Sequence, residues 1–209
     1  MMPHRYLAMA GYAAFDEVVW RRPAAGNALF LTFDDGPDPA ATPALLALLA
    51  DLDVPATFFL TGENLWLERR RLERYDYSPH ALGSHGFRHR PHLLVGAERL
   101  ARELDLTDRL VKRCGGRPTA LMRPPYGLFG PALRAVVRAR GERLALWSVM
   151  GYDFRWPAAR VGRHLERQSR AGDVVVLHDT ARTWPVLREV LPGWVAGCRA
   201  RGLAFARMG

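Results

Sequence analysis

Short apolar runs alternate with helical patterns along this 209-residue chain, and the alternation sets its fold class. Strands that alternate with helices form mainly parallel sheets covered by helices. One helical pattern begins at Thr42 and Pro43, with Thr42 as the expected N-cap, and the last begins near Pro185 and is expected to kink or split at Pro192. We predict one α/β domain, a closed or nearly closed barrel of about seven parallel strands in preference to an open sheet, which is the alternative on pattern alone. The apolar runs lie at 28–33, 56–60, 81–84, 119–122, 144–149, 173–177 and 203–206.

Charge and cysteine content narrow the function classes. The formal net charge is +9, but the arginines are dispersed, Lys112 is the only lysine, and no basic run is interleaved with aromatic residues. We interpret the excess as compositional bias first and as a preference for anionic surfaces second, which disfavours nucleic acid as the primary partner. Cys114 and Cys198 fit neither a disulfide framework nor a thiolate metal site, and we predict that both are buried.

The N-terminal segment, residues 1–25, is interpreted as an extension of a domain that spans residues 26–209. It is a poor secretory signal, because no apolar core is followed by a small-residue cleavage site. No run approaches the eighteen apolar residues needed to span a bilayer. Read as given, the chain is expected in the cytoplasm, or in the cell envelope or outside the cell if a leader was removed.

Polar clusters follow five of the predicted strands. Because the carboxyl ends of parallel strands meet at one edge, we expect these clusters at a single mouth. They are Asp34-Asp35, residues 85–89, residues 123–127, residues 152–154 and His178-Asp179.

Two histidines in the second cluster are candidate metal ligands. His85 and His89 stand four residues apart, and with Asp35 they would form a two-histidine, one-carboxylate set that leaves positions open for water and substrate. Zinc is the default ion for these ligands, with cobalt, nickel or manganese as alternatives. The nearby His80 and His92 are interpreted as packing or solvent-facing residues.

The remaining cluster residues suit acid–base chemistry. Asp34 could take a proton from a metal-activated water, and Arg123 could keep that carboxylate charged and oriented, although a surface salt bridge is the alternative for Arg123. His178 could protonate a leaving group, with Asp153 orienting it and raising its pKa. A histidine after a strand can also be merely polar.

Five motifs in a fixed order make the chain similar to one family over residues 26 to 209. It resembles the polysaccharide deacetylases, the NodB-homology domain of carbohydrate esterase family 4. A sixth stretch, 56-ATFFLTGEN-64, resembles the second strand of that family. The motifs are TFDDGP at 32–37, HxxxH at 85–89, RPPYG at 123–127, an acidic motif at Asp153 and LHD at 177–179.

The resemblance implies a distorted (β/α) barrel that hydrolyses N-acetyl groups on the amino sugars of an acetylated oligomer or polymer, of the peptidoglycan or chitin type. Metal-bound water would attack the amide carbonyl. The resemblance implies that Asp34 is the base, that Arg123 positions it, and that Asp35, His85 and His89 bind the metal. It further implies that His178 is the general acid with support from Asp153. The backbone N–H of Tyr126 would stabilise the oxyanion.

Three positions depart from the family pattern and bear on the substrate. Gly86 replaces a usual Ser or Thr, Phe154 a usual Trp, and Val176 a usual Leu in the pocket for the acetyl methyl group. Trp147 lies within a predicted strand and is interpreted first as core, with stacking on a sugar ring as the alternative. The predicted substrate contacts are Pro125, Tyr126, Phe154, Val176, Trp156 and Phe129.

Other functions remain open at this level. A metal-dependent hydrolase of an O-acetyl ester or a non-sugar amide would use the same residues. A catalytically weak carbohydrate-binding relative could keep the barrel without the chemistry. A basic nucleic-acid binder is the least favoured alternative.

Overall fold

Nine strands form one sheet in the computed structural model, which describes residues 15–23 and 25–209. Every paired strand runs parallel to its neighbour, and the order is β1-β6-β5-β4-β3-β2-β8-β7, with β9 beside the start of β2. This arrangement confirms the predicted (β/α) barrel class. The strands are β1 (Val18–Val19), β2 (Ala28–Asp34), β3 (Thr57–Leu60), β4 (Ala81–Ser84), β5 (Arg117–Met122), β6 (Arg143–Ala145), β7 (Val149–Met150), β8 (Val174–His178) and β9 (Ala204–Ala206).

Helices cover the outer face of the sheet. Thr42 is the first residue of its helix rather than the N-cap, and its hydroxyl donates instead to the carboxylate of Asp179 at 2.7 Å. The last helix continues through Pro192 as one element, so the predicted split does not occur. The helices are α1 (Thr42–Asp51), α2 (Gly62–Leu67), α3 (Ala97–Val111), α4 (Pro131–Ala139), α5 (Ala158–Gln168) and α6 (Trp184–Ala200), with single turns at Leu72–Arg74 and Pro125–Gly127.

Residues 144–149 link the two ends of the curved sheet. The sequence predicts one strand over this run. That prediction is wrong, because the run divides: β6 pairs with β5 and β1, whereas β7 pairs with β8 at the other end of the sheet. Between them, the N–H of Leu146 donates to Val19 and that of Ser148 donates to Val174. The chain therefore crosses from one sheet edge to the other, and this crossing distorts the barrel.

The alternation of side chains along β2 separates two kinds of core. Leu29, Leu31 and Phe33 pack in the large cluster under the helices, whereas Phe30 packs in a smaller cluster within the barrel. Successive side chains of a strand point to opposite faces, so Thr32 and Asp34 share the inner face with Phe30. The sequence thus directs Asp34 into the barrel at the carboxyl end of its strand.

Other predictions concern the cysteines and the N-terminus. Cys114 and Cys198 are both buried and unpaired, as predicted. The segment in which we found no secretory signal lies mostly outside the described residues, and β1 joins the sheet although it falls within the predicted extension. The boundary at residues 25 and 26 remains a prediction. Of the helices described, none combines the length and apolar character that crossing a bilayer requires.

Candidate active site

The strand ends meet around one cavity of about 560 Å³. Asp34 at the end of β2 and His178 at the end of β8 are direct partners in the strand register, which explains why these two motifs converge. The cavity is lined by Asp34, Asp35, His85, His89, Tyr126, Trp147, Met150, Phe154, Val176, His178, Thr180, Arg182 and Thr183.

Arg123 anchors Asp34 from below the cavity floor. Its side chain is fully buried, and one guanidinium nitrogen donates to Asp34 Oδ1 and to the Thr32 hydroxyl, each at 2.7 Å. Two further donors reach the carbonyls of Ala145 and Leu146 at 3.2 and 3.1 Å, where the chain leaves β6 to cross between the sheet edges. Burial lowers the pKa of Arg123, and the charge and hydrogen bond of Asp34 oppose that shift. The alternative of a surface salt bridge for Arg123 does not hold.

The candidate ligand atoms of Asp35, His85 and His89 lie close together. Asp35 Oδ1 lies 3.5 Å from His85 Nε2 and 3.3 Å from His89 Nε2, and one ligand atom from each residue lies within 4.8 Å of the others. Two ligand atoms about 2.1 Å from a tetrahedral ion stand about 3.4 Å apart, so these distances suit one cation.

Hydrogen bonding around the ligand set also suits a cation. His85 Nδ1 lies 2.8 Å from the backbone carbonyl of Arg123, so that nitrogen donates and Nε2 is left as the ligand atom. Burial lowers the pKa of His85 and keeps its imidazole neutral, the form that binds metals. Asp35 Oδ1 is buried and has no hydrogen-bond partner among the described residues, which fits an oxygen able to bind a cation.

His80 and His92 lie outside this set. His80 is buried, and its Nδ1 accepts a hydrogen bond from the Ala56 N–H at 3.1 Å. His92 is also buried, and burial lowers the pKa of both imidazoles to about 4. Both residues are packing histidines, one of the alternatives that the sequence left open.

His178 is held by Asp153 across the cavity from the ligand set. Asp153 accepts from His178 Nδ1 at 2.9 Å and from the His178 backbone N–H at 2.8 Å. Burial alone would lower the pKa of His178, but the hydrogen bond and charge of Asp153, with the charges of Asp34 and Asp35, raise it to about 9. The imidazole is therefore protonated at neutral pH, with Nε2 as its free donor.

Replacing Asp153 with Asn should move the alkaline limb of the activity profile to lower pH. The substitution removes the charge and acceptor that hold the proton on His178, so the pKa of the imidazole falls and the acid form is lost sooner as pH rises. We expect kcat/KM to fall about 10-fold or more, and most at alkaline pH. The measurement is kcat/KM against pH, with Asp51→Asn on the exposed side of α1 as the matched control. An unmoved alkaline limb in Asp153→Asn would contradict the coupling of this pair.

Three non-glycine residues adopt left-handed backbone conformations at this mouth. Asp35 has φ 76°, Tyr126 has φ 60° and Tyr152, next to Asp153, has φ 59°. Such conformations cost about 1 to 3 kcal/mol each and persist where the surroundings impose them. The Asn64 side chain helps to fix the first by donating to the Asp35 carbonyl at 2.7 Å.

The departures from the family pattern have local structural counterparts. Gly86 has φ +79°, and a Cβ there would come 2.8 Å from His92 Cε1, so the buried His92 fills the space that a side chain would need. Phe154 meets the His178 ring edge to face at 5.1 Å between centroids, and Val176 lines the cavity. Phe154 and Val176 alter walls of the cavity, whereas Gly86 does not line it.

The predicted substrate contacts divide into two groups. Tyr126, Phe154 and Val176 line the cavity, whereas Pro125, Phe129 and Trp156 do not. Phe129 packs against the core cluster beside α3 and α4, and Trp156 lines a separate surface cavity of about 410 Å³ along α5. Their contacts with a sugar remain predictions.

Four cavity-lining residues, Met150, Thr180, Arg182 and Thr183, were not identified from sequence, and for Trp147 the core interpretation was the favoured one. Trp147, interpreted as core, packs partly against the inner cluster but also faces the cavity. Met150 belongs to the two-residue β7, which no periodicity reveals. Thr180, Arg182 and Thr183 follow the LHD motif closely, and that proximity was the available signal.

Known proteins similar to this chain share its fold and belong to one family. Residues 21–145 match the family model described as polysaccharide deacetylase. A peptidoglycan-N-acetylglucosamine deacetylase of Bacillus cereus is 27% identical over 92% of this chain and 91% of its own. A chitooligosaccharide deacetylase of Rhizobium leguminosarum bv. phaseoli is 32% identical over 72% of this chain and 67% of its own. The crystal structure of a peptidoglycan N-acetylglucosamine deacetylase, Bc1960, superimposes with a TM-score of 0.87 at 24% identity, covering 95% of this chain and 94% of that one.

Proposed function

The chain belongs to the polysaccharide deacetylase family, and on that premise we propose that it is a metal-dependent hydrolase that removes N-acetyl groups from amino sugars. One observation carries the proposal: a single cavity joins a three-residue candidate ligand set, a carboxylate clamped by a buried arginine, and a histidine hydrogen-bonded to a buried aspartate. These are the parts that amide hydrolysis needs.

The ligand set would be Asp35, His85 and His89, and zinc suits it best, with cobalt, nickel or manganese as alternatives. A divalent ion held there would polarise the amide carbonyl and lower the pKa of a coordinated water to roughly 7. Asp34 is the general base. Arg123 occupies its Oδ1, while Oδ2 lies 4.0 Å from His85 Nε2 and so faces the ligand set, where it can take the proton of the attacking water.

His178 is the general acid. An amine leaves an amide slowly unless it is protonated, and the proton must come from a group placed beside the leaving nitrogen. Asp153 occupies Nδ1, which directs Nε2 and its proton to the cavity. The backbone N–H of Tyr126, in a left-handed turn beside His89, is assigned to the developing oxyanion.

The substrate class follows from the relatives and from the shape of the cavity. The relatives are named for peptidoglycan and for chitooligosaccharides, and an open cavity of about 560 Å³ with the aromatic walls Trp147 and Phe154 can admit a sugar residue. We therefore assign an acetylated amino-sugar oligomer or polymer as the substrate. An O-acetyl ester or a non-sugar amide is the second candidate, because the same groups would cleave it.

The test is acetate release from N-acetylglucosamine oligomers and from peptidoglycan, before and after chelation and with metal added back. We expect chelation to reduce the rate at least about 100-fold and metal to restore it, since the ion supplies both polarisation and water activation. Acetylated small esters serve as the competing substrates. Release from esters alone would favour the second candidate, and release that survives complete chelation would contradict metal dependence.

A further inference from the structure

Arg182 is a charged cavity-lining residue that the proposed mechanism does not use. Its side chain is exposed, and it lines the same cavity as Asp35, His89 and His178. It forms no salt bridge with any residue in the described part of the chain. A positive charge at the edge of the reaction site is thus available to a ligand.

The backbone that carries Arg182 is fixed on both sides. The N–H of Ala181 donates to Asp38 Oδ2 at 2.6 Å, and the Thr183 hydroxyl donates to the His178 carbonyl. Thr183 is buried and hydrogen-bonds to Thr180 as well. The backbone on either side of Arg182 is therefore held by hydrogen bonds, one of them to the carbonyl of His178. This restricts the guanidinium to a limited region of the cavity mouth.

The acidic residues that line the cavity are already engaged. Asp34 is paired with Arg123, and Asp35 belongs to the ligand set. An anion that meets Arg182 would have to come with the substrate. Guanidinium binds carboxylates through parallel hydrogen bonds, and such charge-assisted pairs are stronger than neutral ones.

We propose that Arg182 binds a carboxylate carried by the substrate, on the acetylated amino sugar or on the sugar next to it. The inference rests on the proposed deacetylase function and narrows its substrate to acidic glycans. An exposed arginine is commonly just a solvated surface charge. What distinguishes Arg182 is a fixed backbone at the mouth of a cavity that holds the reacting groups.

The experiment compares one saccharide with and without its charge. The acidic substrate is a peptide-free oligomer of alternating N-acetylglucosamine and N-acetylmuramic acid, and the neutral one is the same oligomer with its lactyl carboxylates reduced to alcohols. The proteins are wild type, Arg182→Gln, Arg182→Lys and the control Arg188→Gln, an exposed arginine on α6 outside the cavity. The readout is the ratio of kcat/KM on the acidic oligomer to kcat/KM on the neutral one.

We expect the wild-type ratio to exceed one and to fall about 10-fold in Arg182→Gln, mostly through KM. Arg182→Lys should recover part of the ratio, and Arg188→Gln should leave it unchanged although it removes the same charge. An oligomer of N-acetylglucosamine alternating with glucuronic acid shows whether the carboxylate sits on the neighbouring sugar. Either carboxylate source supports the proposal.

Failure of this inference differs from failure of the proposed function. If wild type deacetylates both oligomers and Arg182→Gln leaves the ratio of the two kcat/KM values unchanged, Arg182 does not bind a substrate carboxylate and the inference is overturned. An equal loss on both oligomers would assign Arg182 a structural role and overturn it as well. If wild type with metal releases acetate from no amino sugar, the proposed function itself fails, and the inference falls with it.

Discussion

Asp34→Asn is expected to remove nearly all turnover while leaving metal content nearly intact. The amide of Asn can still accept a hydrogen bond from Arg123 at the position of Oδ1, but it cannot take a proton. A positioned general base contributes about 10²- to 10⁴-fold, so kcat should fall by that amount. Acetate release measured beside metal content, with thermal unfolding to show that the variant is folded, tests this expectation.

The neighbouring carboxylate provides the matched control. Asp35→Asn changes the same functional group one residue away, but Asp35 Oδ1 is the atom that lies between His85 Nε2 and His89 Nε2. We therefore expect this variant to lose metal affinity first and activity as a consequence, with partial recovery at high metal concentration. An Asp34→Asn protein that loses its metal yet keeps turnover would reverse the two roles.

The convergence of these residues could be predicted because it follows from a rule about parallel sheets. Three apolar runs end in the polar residues Asp34, Ser84 and His178, and the strand that ends at Met122 is followed directly by Arg123. Neighbouring parallel strands place such ends at one edge of the sheet. Side chains alternate between the two faces of a strand, so Asp34 points to the same inner face as the buried Phe30, four residues earlier. The local sequence pattern was therefore sufficient to predict that these strand-end residues converge.

The closure of the barrel could not be predicted in the same way. The run at 144–149 has uniform strand character, and nothing local indicates that its two halves pair with strands at opposite ends of the sheet. That outcome depends on which edges remain unpaired once the other strands are in place. For the same reason the place of Met150 in the cavity wall became evident only in the folded protein.

The buried role of Arg123 joins these two parts of the fold. The motif predicts its contact with Asp34, but its bonds to the Ala145 and Leu146 carbonyls depend on the unpredicted crossing between sheet edges. Its guanidinium carbon also lies 4.1 Å from the centroid of the Phe59 ring. One side chain therefore holds the Asp34 carboxylate and also satisfies backbone groups where the sheet ladder is interrupted.

Arg123→Met is accordingly expected to cost stability as well as activity. Removing one partner of a buried ion pair leaves an uncompensated charge and costs about 3 to 5 kcal/mol. For a protein of this size that corresponds to a fall of about 10 °C in Tm. Arg123→Lys should recover only part of the loss, because a compact ammonium with three donors cannot reach all four acceptors of the guanidinium. Arg188→Met on the exposed face of α6 is the control and should stay within about 0.5 kcal/mol of wild type.

A double-mutant cycle separates the ion pair from the other contacts of Arg123. If the Asp34 carboxylate is what the arginine chiefly compensates, Arg123→Met should destabilise the Asp34→Asn protein less than it destabilises wild type, because the charge left behind is already absent. The difference between the two free energies of unfolding is the coupling energy, and direct contact predicts about 0.5 to 3 kcal/mol. Strictly additive losses would mean that Arg123 acts through the carbonyls of Ala145 and Leu146 and through packing on Phe59, and that orientation of the base is a minor part of its role.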